Sequence, residues 1–503
     1  MKLRSLGAAL AVVLALPLSA CNAGGGTQAA GGQAKDSLIV AQTAEPANLD
    51  YTTTGGAAIP QALLENVYQS LVRVDQDGKI QPSLARAWKV SEDGKTYTFD
   101  LQTGVKFASG ADFTAEDVKY SYDRVRTGKG WKNPLSQKMA IIDSVTADGD
   151  AKVTIKLKQR SNSWLYNLAS LVGTVFDSKD HDDLANKANG TGPFAIEKFT
   201  RGQDIVFAAR DDYWADKPKL KQVTFKYFKD GVSAANALKS GQVDVLSNLQ
   251  APDLLSDFQQ QSDKFEVIEG TTNGEVVLSM NNAAGIFKDK KARQAVMYAI
   301  DRKAVMDTAW GGHGTLIGSM VPPTDPYYED LNNVYPYDVD KAKKLVDEAG
   351  ISGKSLTFTV PNLPYATAIS NIVVSQLKAV GLNAKVQIQE FPGVWIQKTL
   401  TDHSYDMSVV SHVEARDILT VFGKGYYTGY DYKRIEADAA KADAGTEQEY
   451  IDGMKKVART ITDDAAADFL FLLPNLIVAN KGVTGLPKNQ ITDAFRLVDL
   501  AAA

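Results

Sequence analysis

The chain has 503 residues, 44% of them hydrophobic and 23% charged, a formal charge of −5 and a single cysteine. An acidic chain without a basic cluster argues against a nucleic-acid partner, and one cysteine excludes an internal disulfide. Single hydrophobic cores stop growing at about 250–300 residues, so two or three domains are expected, stable without a metal or cofactor.

At the start, Lys2 and Arg4 precede an uncharged run over 6–16, followed by Leu18-Ser19-Ala20-Cys21. The run is shorter than the roughly 20 residues a bilayer span needs and reads as a secretory signal peptide over 1–20. Its removal takes two positive charges and leaves −7. The tetrad resembles the bacterial lipobox, which implies lipidation of Cys21. Acyl chains contribute about 0.8 kcal/mol per buried methylene, so two or three would hold the protein on the extracytoplasmic face of the cell membrane. Residues 21–36 then form a flexible tether rich in glycine and alanine, with a reach on the order of 20 Å.

The folded body is expected to open with a strand at Leu38-Ile39-Val40. In the stretch 85–125, Ser91-Glu92-Asp93-Gly94-Lys95 is a polar turn and Tyr97, Phe99 and Leu101 alternate as a half-buried strand. Thr114 followed by Asp117 forms a capping box with a short acid, and Val118, Tyr122 and Val125 share one helical face. Gly190-Thr191-Gly192-Pro193-Phe194 is a tight turn entering a strand. A helix ends at Gly241 before a strand carrying Val243 and Val245, and an amphipathic helix over 289–302 presents Ala292, Val296, Ala299 and Ile300. Leu356, Phe358 and Val360, a helix over 366–380 closed by Gly381, and Leu382, Ala384, Val386 and Ile388 make a strand, a crossover helix and a strand. That pair should be parallel and right-handed. A further strand is expected over 405–410.

This ordered set, from about residue 37 to the C-terminus, resembles the family 5 (peptide/nickel type) solute-binding proteins of ABC transporters. The quoted segments of family likeness include Gly190–Phe194, Ala237–Val245 and the string Arg293-Gln294-Ala295-Val296 through Ala299-Ile300-Asp301-Arg302. The resemblance implies an α/β, periplasmic-binding-protein-like type II (class C) fold: two lobes, a two-segment hinge and an extra subdomain in the first lobe. The expected divisions are 37–64, 192–275 and 479–503 for lobe 1, 65–191 for its subdomain and 276–478 for lobe 2. Hinge strands are expected near 271–281 and 478–481. The implied activity is capture of a small polar ligand, a short peptide, in an interlobe cleft by a monomer that delivers it to ABC permease subunits. A metal chelate of the nickel type or an oligosaccharide is the alternative ligand, and a secreted hydrolase the alternative class.

In peptide-binding relatives a Gly-Trp-x-x-Asp element pairs its aspartate with the peptide ammonium. Here Ser411-His412-Val413-Glu414-Ala415-Arg416-Asp417 occupies that place, with His412 for the tryptophan and Ala415 for the aspartate. Arg416 suits a ligand carboxylate or phosphate, and Glu414 or Asp417 an ammonium; the other reading of the three is a surface ion-pair network. Asn273, Glu275 and Asn475 lie at the proposed hinge, facing ligand or satisfying hinge backbone. Glu45, Trp395, Tyr426 and Tyr427 are further cleft-lining candidates, whereas Trp88, Trp164 and Trp214 are assigned to packing.

Catalytic patterns find little purchase. Gly353-Lys354-Ser355 lacks the phosphate-loop glycine, since Glu348 stands there, and Gly312-His313-Gly314 and Gly423-Lys424-Gly425 miss dinucleotide spacing. His181, His313, His403 and His412 show no metal-ligand spacing, and no Gly-x-Ser-x-Gly elbow is present.

Overall fold

The computed structural model describes residues 35–54, 56–132 and 134–503. The expected leader, Cys21 and most of the tether lie outside the described residues.

Two strands far longer than the rest organise the molecule: Phe265–Met280 and Ala467–Asn480, which run antiparallel at the centre of an eleven-stranded sheet. Their register breaks twice, between Thr271 and Glu275 and again between Val276 and Val277. Phe265–Thr271 pairs with Pro474–Asn480, and after the first break Glu275 pairs with Leu472 and, past the second, Ser279 with Ala467. Residues 272–274 are thereby set against Leu473 alone, and an insertion of this kind bends and twists the strand that carries it. Thr272 pins the bulge, its hydroxyl donating to the Leu473 carbonyl and accepting from the Gly274 N–H. The pairing puts the second crossing at 472–474, upstream of residue 479. The segment 475–480 already belongs with the first half, because Val478 and Ala479 also pair with Val245–Leu246.

On the first-half side the sheet continues through Val245–Leu246, Ser37–Gln42, Gln222–Tyr227, Asp204–Ala209 and Phe194–Thr200. Leu38, Val40, Phe207 and Phe225 are buried against Phe495 and Leu497 of the C-terminal return. A separate antiparallel sheet of Ala85–Val90, Thr96–Leu101, Lys152–Leu157 and Ile142–Ala147 carries the helix Ala115–Arg126. The alternation of Thr96–Leu101 survives as buried Tyr97, Phe99 and Leu101. The Asp117 carboxylate accepts the Thr114 N–H as expected, and its other oxygen accepts the Ser178 N–H.

The Gly190–Phe194 turn has a tertiary reason for its glycines. A β-carbon on Gly190 would stand 1.9 Å from the Val67 carbonyl oxygen, and one on Gly192 would stand 2.4 Å from that of Asn66. Backbone pairs with backbone there, Gly192 N–H donating to Val67 and Phe194 N–H to Asn66. Arg210, 7% exposed, clamps the assembly. Its guanidinium donates to the carbonyls of Gly190, Gly192, Lys106 and Phe107 and to both oxygens of Asp212.

On the other side the sheet runs through Met407–His412, Ser355–Pro361 and Asn383–Gln389. Ser355–Pro361 and Asn383–Gln389 are parallel, joined by the helix Pro364–Ala379. Val386 and Ile388 alternate as expected but are 37% and 56% exposed, on the edge strand of the sheet. The expected helix over 289–302 is divided into Lys290–Ala299 and Arg302–Trp310, capped by the side chains of Asp289 and Asp301.

Candidate functional site

The break at 271–275 in the long strands places Glu275 first in the second-half register, directly opposite His412 on the neighbouring strand. Paired residues of an antiparallel ladder share a face and the face alternates along each strand. Glu275, Val277 and Ser279 therefore lie with His412, Val410 and Ser408. Ser411 falls on the other face beside Val276, where its N–H donates to Tyr365 Oη. Tyr427 knits the Glu275 face together: its hydroxyl lies 2.7 Å from Ser279 Oγ and 2.9 Å from His412 Nε2, and its ring stacks on the imidazole.

The segment after His412 folds back over this face. Arg416 takes φ +56°, a left-handed conformation unusual outside glycine. It directs the guanidinium to Asp325, with Nε 3.2 Å from Oδ1, and over the ring of Tyr166 at 3.6 Å. Both members of the Arg416–Asp325 pair are largely buried, so this is no surface network. Asp417 lies with Oδ2 4.0 Å from His412 Nδ1.

Tyr166 comes from the first half, so its contact with Arg416 crosses between the halves. Two more contacts do the same. Lys138 Nζ approaches Glu414 to 3.9 Å, and Asn162 donates to the carbonyls of Ala442, Asp443 and Gly445 while Ser163 N–H donates to the Asp443 carboxylate. The halves are closed upon one another, with the 413–417 segment between them.

The enclosed electrostatics are lopsided. Glu275 is 1% exposed, and burial together with the Asp417 charge holds its carboxyl well above the usual range. Burial, then Glu414, does the same to Asp417. Asp325 is also raised, burial outweighing Arg416 beside it, and Asp493 from the C-terminal return is pushed up to about 6 by burial. His412 moves the other way, to about 4, because burial disfavours the imidazolium. Such opposed shifts concentrated at one place are characteristic of functional sites.

The remaining expected residues fall in several places. Trp395 and Tyr427 are buried inside the second half, with Trp395 Nε1 donating to Ser408 Oγ. Tyr426 is part-exposed, and Asp417 and Glu414 add to burial in raising its hydroxyl to about 12, so it borders the cluster. Glu45 accepts the Gly202 N–H with both oxygens. Asn273 donates to the Ile491 carbonyl, and Asn475 to those of Pro487 and Lys488, so both tie the hinge to the C-terminal return. A cavity of about 170 Å³ lined by Arg73, Asp75, Gln76, Asn489 and Arg496 lies on the first half and contains none of the expected ligand residues. Asp325, Asp493, Lys138 and Tyr166 were not legible as neighbours of this cluster, since each comes to it from a distant segment, and Asn162 meets the second half elsewhere, at 442–445.

The architecture recurs in solved structures. The substrate-binding protein CtaP of Listeria monocytogenes superposes with a TM-score of 0.83 at 22% identity, over 93% of this chain and 99% of that one. NikA of Brucella suis, solved with Fe(III)-EDTA, gives 0.82 at 23% identity over 93% and 100%. The fold is thus that of type II periplasmic binding proteins. The pattern for bacterial extracellular solute-binding proteins, family 5 Middle, matches residues 79–417, and the chain belongs to that family, whose members bind and carry solutes and are not enzymes. The oligopeptide-binding protein AppA of Bacillus subtilis is 26% identical over 97% of this chain and 96% of its own. A putative ABC transporter peptide-binding protein of Brucella ovis is 32% identical over 61% and 60%. Among the described residues no helix is long and apolar enough to cross a membrane.

Proposed function

We propose that the protein is an extracytoplasmic receptor, anchored through acylated Cys21, that captures a short peptide between its halves and delivers it to an ABC importer. The observation that carries this is the set of contacts closing the halves over buried carboxylates: Arg416 on Tyr166, Lys138 with Glu414, and Asn162 against 442–445. Among the described residues the chain passes between the halves along the strands meeting at 271–275 and 472–474, a hinge at which small φ/ψ changes open the cleft. A ligand that touches both halves shifts the population toward the closed form, and one touching a single half does not. The names of relatives that bind oligopeptides support the peptide reading.

Small-angle scattering on the soluble chain from residue 35, titrated with a mixture of tri- to pentapeptides, tests it. Compaction that saturates, with the peptides recovered intact, is the expected result. A radius of gyration unmoved by any peptide would defeat the peptide reading, and hydrolysed peptide would defeat the receptor reading. Metabolic labelling with palmitate, lost in Cys21→Ser, tests the anchor.

A further inference from the structure

We infer that the cavity of about 170 Å³ lined by Arg73, Gln76 and Thr492 is a second ligand site, which takes a small monocarboxylate with a short apolar body. It lies on the first half beside the hinge and is independent of the solute carried in the cleft.

Its two walls are fixed by their own bonds. One is the hairpin of Val72–Val74 and Ile80–Pro82. Asp75 holds its turn, one carboxylate oxygen accepting the N–H groups of Asp77 and Lys79 and the other accepting Gln81 Nε2. The second wall is the C-terminal return over 485–499. Its base is closed where Val483–Thr484 pairs with Ala501–Ala502, and backbone meets backbone there, since a β-carbon on Gly485 would collide with the Asp499 carbonyl. Gln76 joins the two walls, its Oε1 accepting the N–H groups of Lys488 and Asn489. A cavity braced before anything enters is the usual form of a small-molecule site.

The chemistry of the lining points one way. Both of its carboxylates are answered, Asp75 within its own turn and Asp499 by Arg496. Arg496 gives its remaining nitrogen to Glu65, and Asn489 Oδ1 accepts the Thr271 N–H. Donors are what is left over. The half-buried Arg73 guanidinium makes no hydrogen bond or ion pair among the described residues, and the Gln76 amide nitrogen and the Thr492 hydroxyl are likewise unpartnered there. A cation would find no free carboxylate. A carboxylate matches the planar guanidinium fork with two parallel bonds, and Val74, Pro487, Ile491 and Ala494 supply an apolar surface for its body. A dianion such as phosphate would bring two charges to one free cation, with Asp75 and Asp499 close by.

The return wall also carries the first hinge strand. Gln490 N–H donates to the Thr271 carbonyl, Asn489 Oδ1 takes the Thr271 N–H, and Gly270 lies so close to Lys488 that a β-carbon there would collide with its carbonyl. A ligand bridging Arg73 to Thr492 therefore braces the wall on which the hinge rests.

Hydrogen exchange on the soluble chain from residue 35 tests the site, with isobutyrate, neutral isobutyramide and inorganic phosphate as probes at matched ionic strength. Isobutyrate should slow exchange over 268–273 and 487–492, the segments whose amides tie return to hinge, and the other two probes should leave both unchanged. Arg73→Gln should raise the isobutyrate concentration needed about 10- to 100-fold, the range of charged hydrogen bonds, and Thr492→Val about 2- to 10-fold. Both side chains are half-buried, and both variants should keep the wild-type unfolding midpoint; if Arg73→Gln fails to fold, Thr492→Val decides. Protection confined to 411–417 would put the carboxylate on the cleft arginine and overturn the second site. An isobutyrate effect undiminished in both variants would overturn it too, as would no protection at all. Equal protection by phosphate or by isobutyramide would overturn the monocarboxylate assignment. Peptide capture is read separately by scattering, and its failure alters none of these outcomes.

Discussion

Two clusters of buried charge in this molecule follow opposite rules. Around Arg210 every element is answered: four backbone carbonyls and the Asp212 carboxylate surround one guanidinium, and the neighbouring turn is tied into the first half. Around Glu275 and Asp417 acceptors outnumber donors, and carboxyls are held above their normal range. Arg210 is as deeply buried as Glu275 and Asp417, although its partner Asp212 is half-exposed, so burial of a charged side chain alone does not distinguish the two. What differs is the balance of donors and acceptors: unpartnered buried atoms also occur singly elsewhere, but here oxygens of Glu275, Asp325 and Asp417 lack partners within one cluster.

The largest effect should come from breaking the satisfied cluster. Arg210→Ala strips donors from four carbonyls while half-exposed Asp212 returns to water, and a loss of about 3 kcal/mol is expected by chemical denaturation, each buried acceptor left unpaired costing about 1–3 kcal/mol. Ligand affinity per folded molecule should change little. An equally large loss from Glu275→Gln would erase the contrast, for that variant puts N–H donors where a buried carboxyl oxygen lacks a partner and should keep or raise stability at neutral pH.

Next in size are the pH responses, which differ in sign. His412, held at about 4, binds a proton less tightly folded than unfolded, where its value is about 6.5. The stability of its neutral form is present above pH 6.5 and lost as pH falls toward 4, up to about 3 kcal/mol. Asp493, raised to about 6, behaves oppositely: its contribution is present below about pH 4, the unfolded value, and lost as pH rises through 6. Unfolding curves from pH 4 to 7 should become flatter on their acid side in His412→Gln, whereas Asp493→Asn should relieve the loss toward pH 6. Parallel wild-type and variant profiles would show that neither group senses its surroundings as described.

Smaller still is the closure itself. Asn162→Ala deletes the side-chain bonds to 443 and 445 across the cleft, and should shift the open–closed balance by about 1–3 kcal/mol. A fluorescence pair on the two halves should report a more open population and about tenfold weaker ligand binding, with the unfolding midpoint nearly unmoved. Lys138→Ala is the weakest test. Its 3.9 Å contact with a half-exposed Glu414 is worth less than about 1 kcal/mol and should fade with salt.

Much of the fold was written locally. The Thr114–Asp117 cap, the alternation of Tyr97, Phe99 and Leu101, and the strand–helix–strand of 355–389 depend on neighbours a few residues away, and a linear pattern can carry that information. The candidate site was legible in part. His412, Glu414, Arg416 and Asp417 stood out as a charged run after a strand, and Glu275 as a hinge acid. Asp325 lies 91 residues from the arginine it pairs with, and a turn reading Pro323-Thr324-Asp325-Pro326 announces a bend, not a partner. Trp395 and Tyr427 show the converse. An aromatic ring reads the same whether it lines a cleft or fills a core, and here both are buried, Tyr427 with its hydroxyl on His412.

By itself the sequence determined the elements, their caps and the family, because those rest on short-range periodicity and on ordered motifs. Tertiary structure alone decided which acids lost their water and their partners. That outcome depends on where a bulge at 272–274 sets the register of two long strands and on how two halves close. Desolvation is a property of the enclosure, and no residue carries it in its own name.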